Sequence, residues 1–208
     1  MMMIVGQYMY FTVYLEYPCL FALSVCILVH HYGLLILCID NDLRKMNLAA
    51  DPKQLRTIVN DYISLEKKIN LLKDSLSTSL FIILLICFCN LFTVLSTSLE
   101  EEITSSLILE LCSNGFTGVI VIFSLTICCS KIPEYILRTK MTTRSLIDKF
   151  QLNELDCAKT VLLKRILETN VIHLSAGDVV YFKKSFLLSA FGTLFTYGLL
   201  IMNFKKDS

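Results

Sequence analysis

The stretch from Leu76 to Leu99 reads LSTSLFIILLICFCNLFTVLSTSL. It has no charged side chain, and as a helix it is long enough to cross the roughly 30 Å hydrocarbon core of a bilayer. Asp51 and Pro52 upstream provide an N-cap and a proline at the first helical position. No helix breaker follows them, so we expect one helix from about Pro52 to Ser98.

Three further stretches are long and apolar enough to span a membrane: Pro18–Ile39, Leu107–Cys129 and Ser185–Phe204. The whole chain is 55% hydrophobic and only 18% charged, which excludes an ordinary soluble enzyme and a disordered chain. We therefore predict an all-α, multi-pass transmembrane bundle with long cytoplasmic helical extensions. The prediction is a single membrane domain over residues 1–208, with spans at about 18–39, 76–99, 107–129 and 185–204.

Lysine and arginine are distributed very unevenly between the connecting segments. Seventeen of the nineteen basic residues lie in segments 40–75 and 130–184, and none lies in segment 1–39. Because basic residues mark the cytoplasmic side, both long segments are expected inside the cell. The acidic loop Glu100–Glu102 and the C-terminus are then expected outside. An outside N-terminus is hard to insert, so we expect the chain to be the C-terminal part of a larger membrane protein.

The segment 130–184 has a helical pattern of its own. Thr142 or Thr143 is a candidate N-cap, and Asn170 is a plausible helix stop. A break is expected before the last span, where Gly177 suits a backbone position with positive φ.

Apolar residues in the cytoplasmic half of the long helix recur at spacings of three and four, which is a heptad pattern. On periodicity alone this seam is equally a core stripe of a solvated helix or a contact that holds subunits together. The candidate subunit-interface residues are Leu55, Ile58, Tyr62, Leu65, Ile69 and Leu72; the pattern extends to Leu76.

The last span carries a stripe of small polar side chains. At about 100° per residue, they fall within an arc of about 80° that also contains Leu200. The stripe consists of Ser185, Ser189, Thr193, Thr196 and Asn203. Such a stripe mediates close helix packing or lines a pore, and physical grounds alone favour packing.

The end of this span resembles a known motif. Thr196-Tyr197, five residues, and then Asn203-Phe204 are similar to the terminal TYhhhhhQF motif of arthropod gustatory receptors, and residues 175–189 resemble the segment before it. Asn203 replaces the motif's glutamine, and Gly198 occupies its third position. The resemblance covers residues 173–204 in detail and residues 10–204 in architecture.

The resemblance implies a seven-helix receptor, related to insect odorant receptors, of which this chain would supply the fourth to seventh helices. Its members are tetrameric ligand-gated cation channels, so a homo- or hetero-tetramer in the plasma membrane that detects small-molecule tastants is expected. It also implies that the polar stripe faces the pore. The pore and gate residues would be Ser189, Thr193, Thr196, Leu200 and Asn203.

The resemblance also implies a ligand site on the extracellular side, among the outer ends of the membrane helices. The candidate contacts are Tyr14, Tyr17, Glu110, Asn114 and Phe116, although tyrosines also act as interfacial anchors. No cofactor or metal site and no nucleic-acid partner is predicted. The net charge is +1, and the three histidines lack acidic neighbours.

Other functional classes have less support from the sequence. No phosphate-binding glycine loop, GxSxG or HExxH motif supports an enzyme. A G-protein-coupled receptor would place its C-terminus inside, against the charge distribution. A non-conducting membrane scaffold or a degenerate receptor fragment is the remaining alternative.

Overall fold

The computed structural model describes residues 15–46, 51–98, 105–152 and 157–206. Within these ranges the chain forms five helices and a two-stranded hairpin, and four of the helices are long and apolar enough to cross a membrane. The expected all-α, multi-pass membrane bundle is confirmed. The elements are α1 (Tyr17–Lys45), α2 (Pro52–Ser98), α3 (Ser105–Leu152), α4 (Cys157–Glu168), β1 (Ser175–Ala176), β2 (Val180–Tyr181) and α5 (Lys184–Lys206).

Helix α2 begins and ends where the sequence predicts. The Asp51 carboxylate accepts a hydrogen bond from the Lys53 backbone N–H at 2.9 Å, as an N-cap does. From Pro52 the helix continues without interruption to Ser98.

Helix α3 corrects the prediction that a new helix starts at Thr142 or Thr143. It runs from Ser105 to Leu152, with Pro133 inside it. Thr143 is buried and its hydroxyl donates to the Thr139 carbonyl oxygen at 2.8 Å, one turn earlier. A hydroxyl that bonds within its own helix needs no helix end, so the candidate cap signal was wrong.

The break before the last helix is a β-hairpin. Gly177 has φ of 60° and Asp178 has φ of 55°, which confirms the expected positive φ at the glycine. Ser175 pairs with Tyr181, and Ala176 pairs with Val180, in antiparallel register. The hairpin thereby reverses the direction of the chain shortly before α5 begins.

The chain divides into two compact units. The first unit contains the residues up to Ile27, Leu76–Cys129 and Ser175–Ser208. The second contains Leu28–Ser75 and Ser130–Leu174.

The second unit has a hydrophobic core built from four helices. Leu43 of α1 and Leu163 of α4, both fully buried, lie in one cluster with residues of α2 and α3. The remaining core members are Leu55, Ile58, Val59, Tyr62, Leu146, Ile147, Phe150 and Ile166.

The heptad seam of α2 packs inside the chain. Of the candidate interface residues, Leu55, Ile58, Tyr62, Leu65 and Ile69 are buried and Leu72 is half-buried. Because the chain's own helices already cover these side chains, the seam forms an internal core stripe within one copy, and the subunit contact stays a prediction.

A buried carboxylate joins α1 to α3 in the second unit. Asp40 Oδ2 lies 3.0 Å from Arg44 Nε and 3.1 Å from Arg138 Nε, and Thr142 Oγ1 donates to Asp40 Oδ1 at 2.6 Å. The carboxylate is almost completely buried, whereas the two arginines are about half exposed. Three donors therefore compensate the removal of the carboxylate from water.

Lys140 of α3 caps the C-terminal end of α4. Its ammonium donates to the carbonyl oxygens of Leu167, at 3.1 Å, and Thr169. A cation at this end satisfies carbonyl groups that the helix leaves free. Beside it, burial raises the pKa of the Glu66 carboxyl, and the Lys140 ammonium and the Asn170 backbone N–H partly offset that shift.

Candidate functional site

The residues predicted to line a pore occupy one open face of α5. Ser189, Thr193, Thr196, Leu200 and Asn203 are all exposed. Only 11% of the apolar stretch of α5 is buried, compared with 44% of the apolar stretch of α3. A methyl group placed on Gly192, on the same face, would meet nothing within 4 Å. The chain therefore leaves this polar face uncovered.

The threonine hydroxyls on this face donate to their own helix. Thr193 Oγ1 bonds the Ser189 carbonyl oxygen, and Thr196 Oγ1 bonds the Gly192 carbonyl oxygen, both at 2.8 Å. Since each hydroxyl hydrogen is used within the helix, the oxygen lone pairs remain for an outside donor or cation.

The opposite face of α5 packs against α2 and α3. Ala190 and Gly198 are buried. A methyl group placed on Gly198 would lie 3.0 Å from a terminal carbon of Leu95, so glycine permits the close approach to α2. Of the residues that resemble the gustatory-receptor motif, Tyr197 contacts Phe92 edge-on at 6.5 Å. The Phe204 side chain lies outside the described residues.

An apolar cavity of about 510 Å³ lies between α1 and α3 in the first unit. Its volume falls within the range of small-molecule sites. The lining is almost entirely apolar apart from thiols and one hydroxyl. It consists of Cys19, Ala22, Leu23, Cys26, Ile120, Val121, Phe123, Ser124, Ile127 and Cys128.

The candidate ligand contacts do not line this cavity. Tyr17 is exposed and its ring packs 6.3 Å from Phe21, Glu110 is half-buried, Asn114 is buried and Phe116 is exposed. Tyr14 lies outside the described residues. These positions are therefore not brought together at the cavity.

Sequence reasoning missed the thiols of the cavity. Cys19, Cys26 and Cys128 look like ordinary small hydrophobic residues within two apolar runs. The Cys26 thiol donates to the Ser124 carbonyl oxygen at 3.6 Å, across 98 positions of sequence. No local pattern signals that these two runs pack together.

Long apolar helices, a bundle core and one uncovered polar face define the chain as an α-helical, multi-pass membrane protein. Its fold is similar to that of the insect olfactory receptor OR5 from Machilis hrabei, solved in complex with eugenol. The TM-score is 0.73 at 12% identity, and the match covers 88% of this chain but 47% of that receptor. The chain thus spans about half the length of the protein it matches. No family model and no curated protein matches its sequence.

Proposed function

We propose that this chain is part of a chemosensory receptor that works as a ligand-gated cation channel. The observation that carries the proposal is the uncovered polar face of α5, found in a chain whose fold is similar to that of an insect olfactory receptor. The motif Thr196-Tyr197…Asn203-Phe204 favours the gustatory branch, with small-molecule tastants as ligands. The chain would act in the plasma membrane within a homo- or hetero-tetramer.

In this proposal the polar face of α5 lines the pore. Four copies would present the oxygens of Ser189, Thr193, Thr196 and Asn203 to a central axis. Leu200 interrupts the face, so four leucines would form an apolar ring. Such a ring blocks ions by excluding water from the constriction.

The cavity between α1 and α3 is the proposed ligand site. Its lining offers large apolar and thiol contacts but no charged side chain. It therefore fits a small neutral molecule better than a charged one, because an unpaired charge in apolar surroundings is costly. We propose this location in preference to the outer site expected from Tyr14, Tyr17, Glu110, Asn114 and Phe116, which stays an untested prediction.

The gate assignment is tested by Leu200→Ser in the expressed receptor. We expect the hydroxyl to wet the apolar ring, so basal current recorded from whole cells should rise. Leu199→Ser is a matched control, because Leu199 is exposed to the same degree (47% against 46%) but points about 100° away.

Two results would contradict the gate. Equal current changes from the two serine variants would mean that exposure rather than the pore face decides the effect. Unchanged current in both variants, with normal surface expression, would leave α5 as a packing helix in a non-conducting membrane protein.

A further inference from the structure

The β-hairpin before α5 is attached at the point where α2 enters its apolar span. The Gly177 backbone N–H donates to the Ser77 carbonyl oxygen at 2.9 Å. A methyl group on Gly177 would lie 3.1 Å from the Phe81 ring, so the contact is close. The apolar run of α2 starts at Leu76, and we therefore expect the hairpin at the boundary between hydrocarbon and water.

The solvent-exposed surface of the hairpin combines apolar side chains with cations. Val179 is 74% exposed and Tyr181 is 46% exposed. The Lys183 ammonium lies 5.9 Å from the centre of the Tyr181 ring, and both Lys183 and Lys184 are exposed. A tyrosine ring beside lysines is the composition found at the headgroup level of membranes.

The two lysines stand at the electrically unfavourable end of a helix. Helix α5 begins at Lys184 and has no acidic residue in its first turn. Because the N-terminal end of a helix carries partial positive charge, cations are disfavoured there and an anion is favoured.

The start of α5 is held in place by aromatic contacts. Phe182 is buried, and its ring lies 6.2 Å from that of Phe186, which in turn lies 6.4 Å from that of Phe88 in α2. Lys183 and Lys184 therefore project from a fixed corner of the first unit rather than from a free chain end.

We propose that residues 175–184 form a binding site for the headgroup of an anionic phospholipid. Val179 and Tyr181 insert at the edge of the bilayer, while the Lys183 and Lys184 ammonium groups hold the phosphate. The lipid comes from the leaflet on the side of the basic segments. Binding itself does not depend on the proposed channel function; only an effect of the lipid on gating would rest on it.

The chain contains no tryptophan, so Tyr181→Trp creates a single fluorescent reporter at the site. The full chain carrying this substitution is reconstituted in phosphatidylcholine vesicles with a minor fraction of phosphatidylserine. Either lipid carries bromine on its acyl chains, which quenches nearby tryptophan. We expect brominated phosphatidylserine to quench more strongly per molecule than brominated phosphatidylcholine, and this preference to weaken at high salt.

The lysines are tested by adding Lys183→Gln and Lys184→Gln to the reporter chain. The apparent affinity for brominated phosphatidylserine should fall about fivefold for each lysine removed. Quenching by brominated phosphatidylcholine should stay unchanged, which shows that the hairpin is folded and at the same depth. Lys164→Gln with Arg165→Gln is the matched control, since it removes an adjacent exposed basic pair from α4.

Three results would overturn the proposal. Equal quenching by the two lipids in the reporter chain would show that the site does not select a headgroup. Equal losses in the α4 control would show that only the overall charge matters. Absence of quenching by either lipid would show that the hairpin lies away from the bilayer.

Discussion

At the scale of single residues, Asp40 shows how one buried charge holds two helices together. It follows the apolar run of α1, and its partners Arg138 and Thr142 lie 98 and 102 positions further along the chain. The sequence contains no local sign of this pairing, because an aspartate among basic residues looks like any solvated acid. The network exists only because α1 and α3 pack side by side in the second unit.

Asp40→Ala should lower the stability of the second unit by about 1–3 kcal/mol. The change removes three charge-assisted hydrogen bonds. The arginines that remain are about half exposed, so water can solvate them, and the loss of stability is smaller than for a buried charge left without a partner. Thermal unfolding of the detergent-solubilised chain measures the effect. Asp42→Ala is the control, because Asp42 is exposed on the same helix; similar shifts from both variants would contradict a specific role for Asp40.

At the scale of elements, local signals predicted helix α2 but not helix α3. The N-cap at Asp51 and the absence of breakers determine α2, and the structure agrees from Pro52 to Ser98. In α3 the same kind of cap signal at Thr143 predicted a helix start that does not exist. The helix continues past Thr143, and Leu146 and Phe150 beyond it pack in the core of the second unit. The seam was visible in sequence, but periodicity does not identify what covers it.

Ile58→Asp tests the internal packing of the seam. A carboxylate placed in the core of the second unit has no partner there, so the stability should fall by more than about 4 kcal/mol. Leu71→Asp on the same helix should change it by less than about 0.5 kcal/mol, because Leu71 is 66% exposed. Thermal unfolding in mild detergent compares the two; a tolerated Ile58→Asp would place the seam outside the core.

At the scale of the whole molecule, the fold class followed from composition, whereas the candidate ligand site did not. Four apolar runs separated by charged segments specify a multi-pass bundle, since hydrocarbon requires helices whose backbone groups are bonded internally. The cavity depends on which helices pack together, as Cys26 and Ser124 show. The polar face of α5 could be predicted from the sequence, because the helical period places its residues on one side of the helix in any fold. What this face contacts could not be predicted in the same way.

The unequal distribution of basic residues predicts the orientation of the chain. Because lysine and arginine are retained on the cytoplasmic side, the segments 40–75 and 130–184 should lie inside. Epitope tags placed between Glu101 and Glu102 and after Ser208 should bind antibody on intact cells. Tags placed between Ala49 and Ala50 and after Asn153 should bind only after permeabilisation, and they control for leaky membranes. The two lysines near the C-terminus oppose this orientation, so the tag after Ser208 gives the most decisive test of it. Antibody binding there only after permeabilisation would place the end of α5 inside the cell, and the hairpin at its other end would then face the outer leaflet.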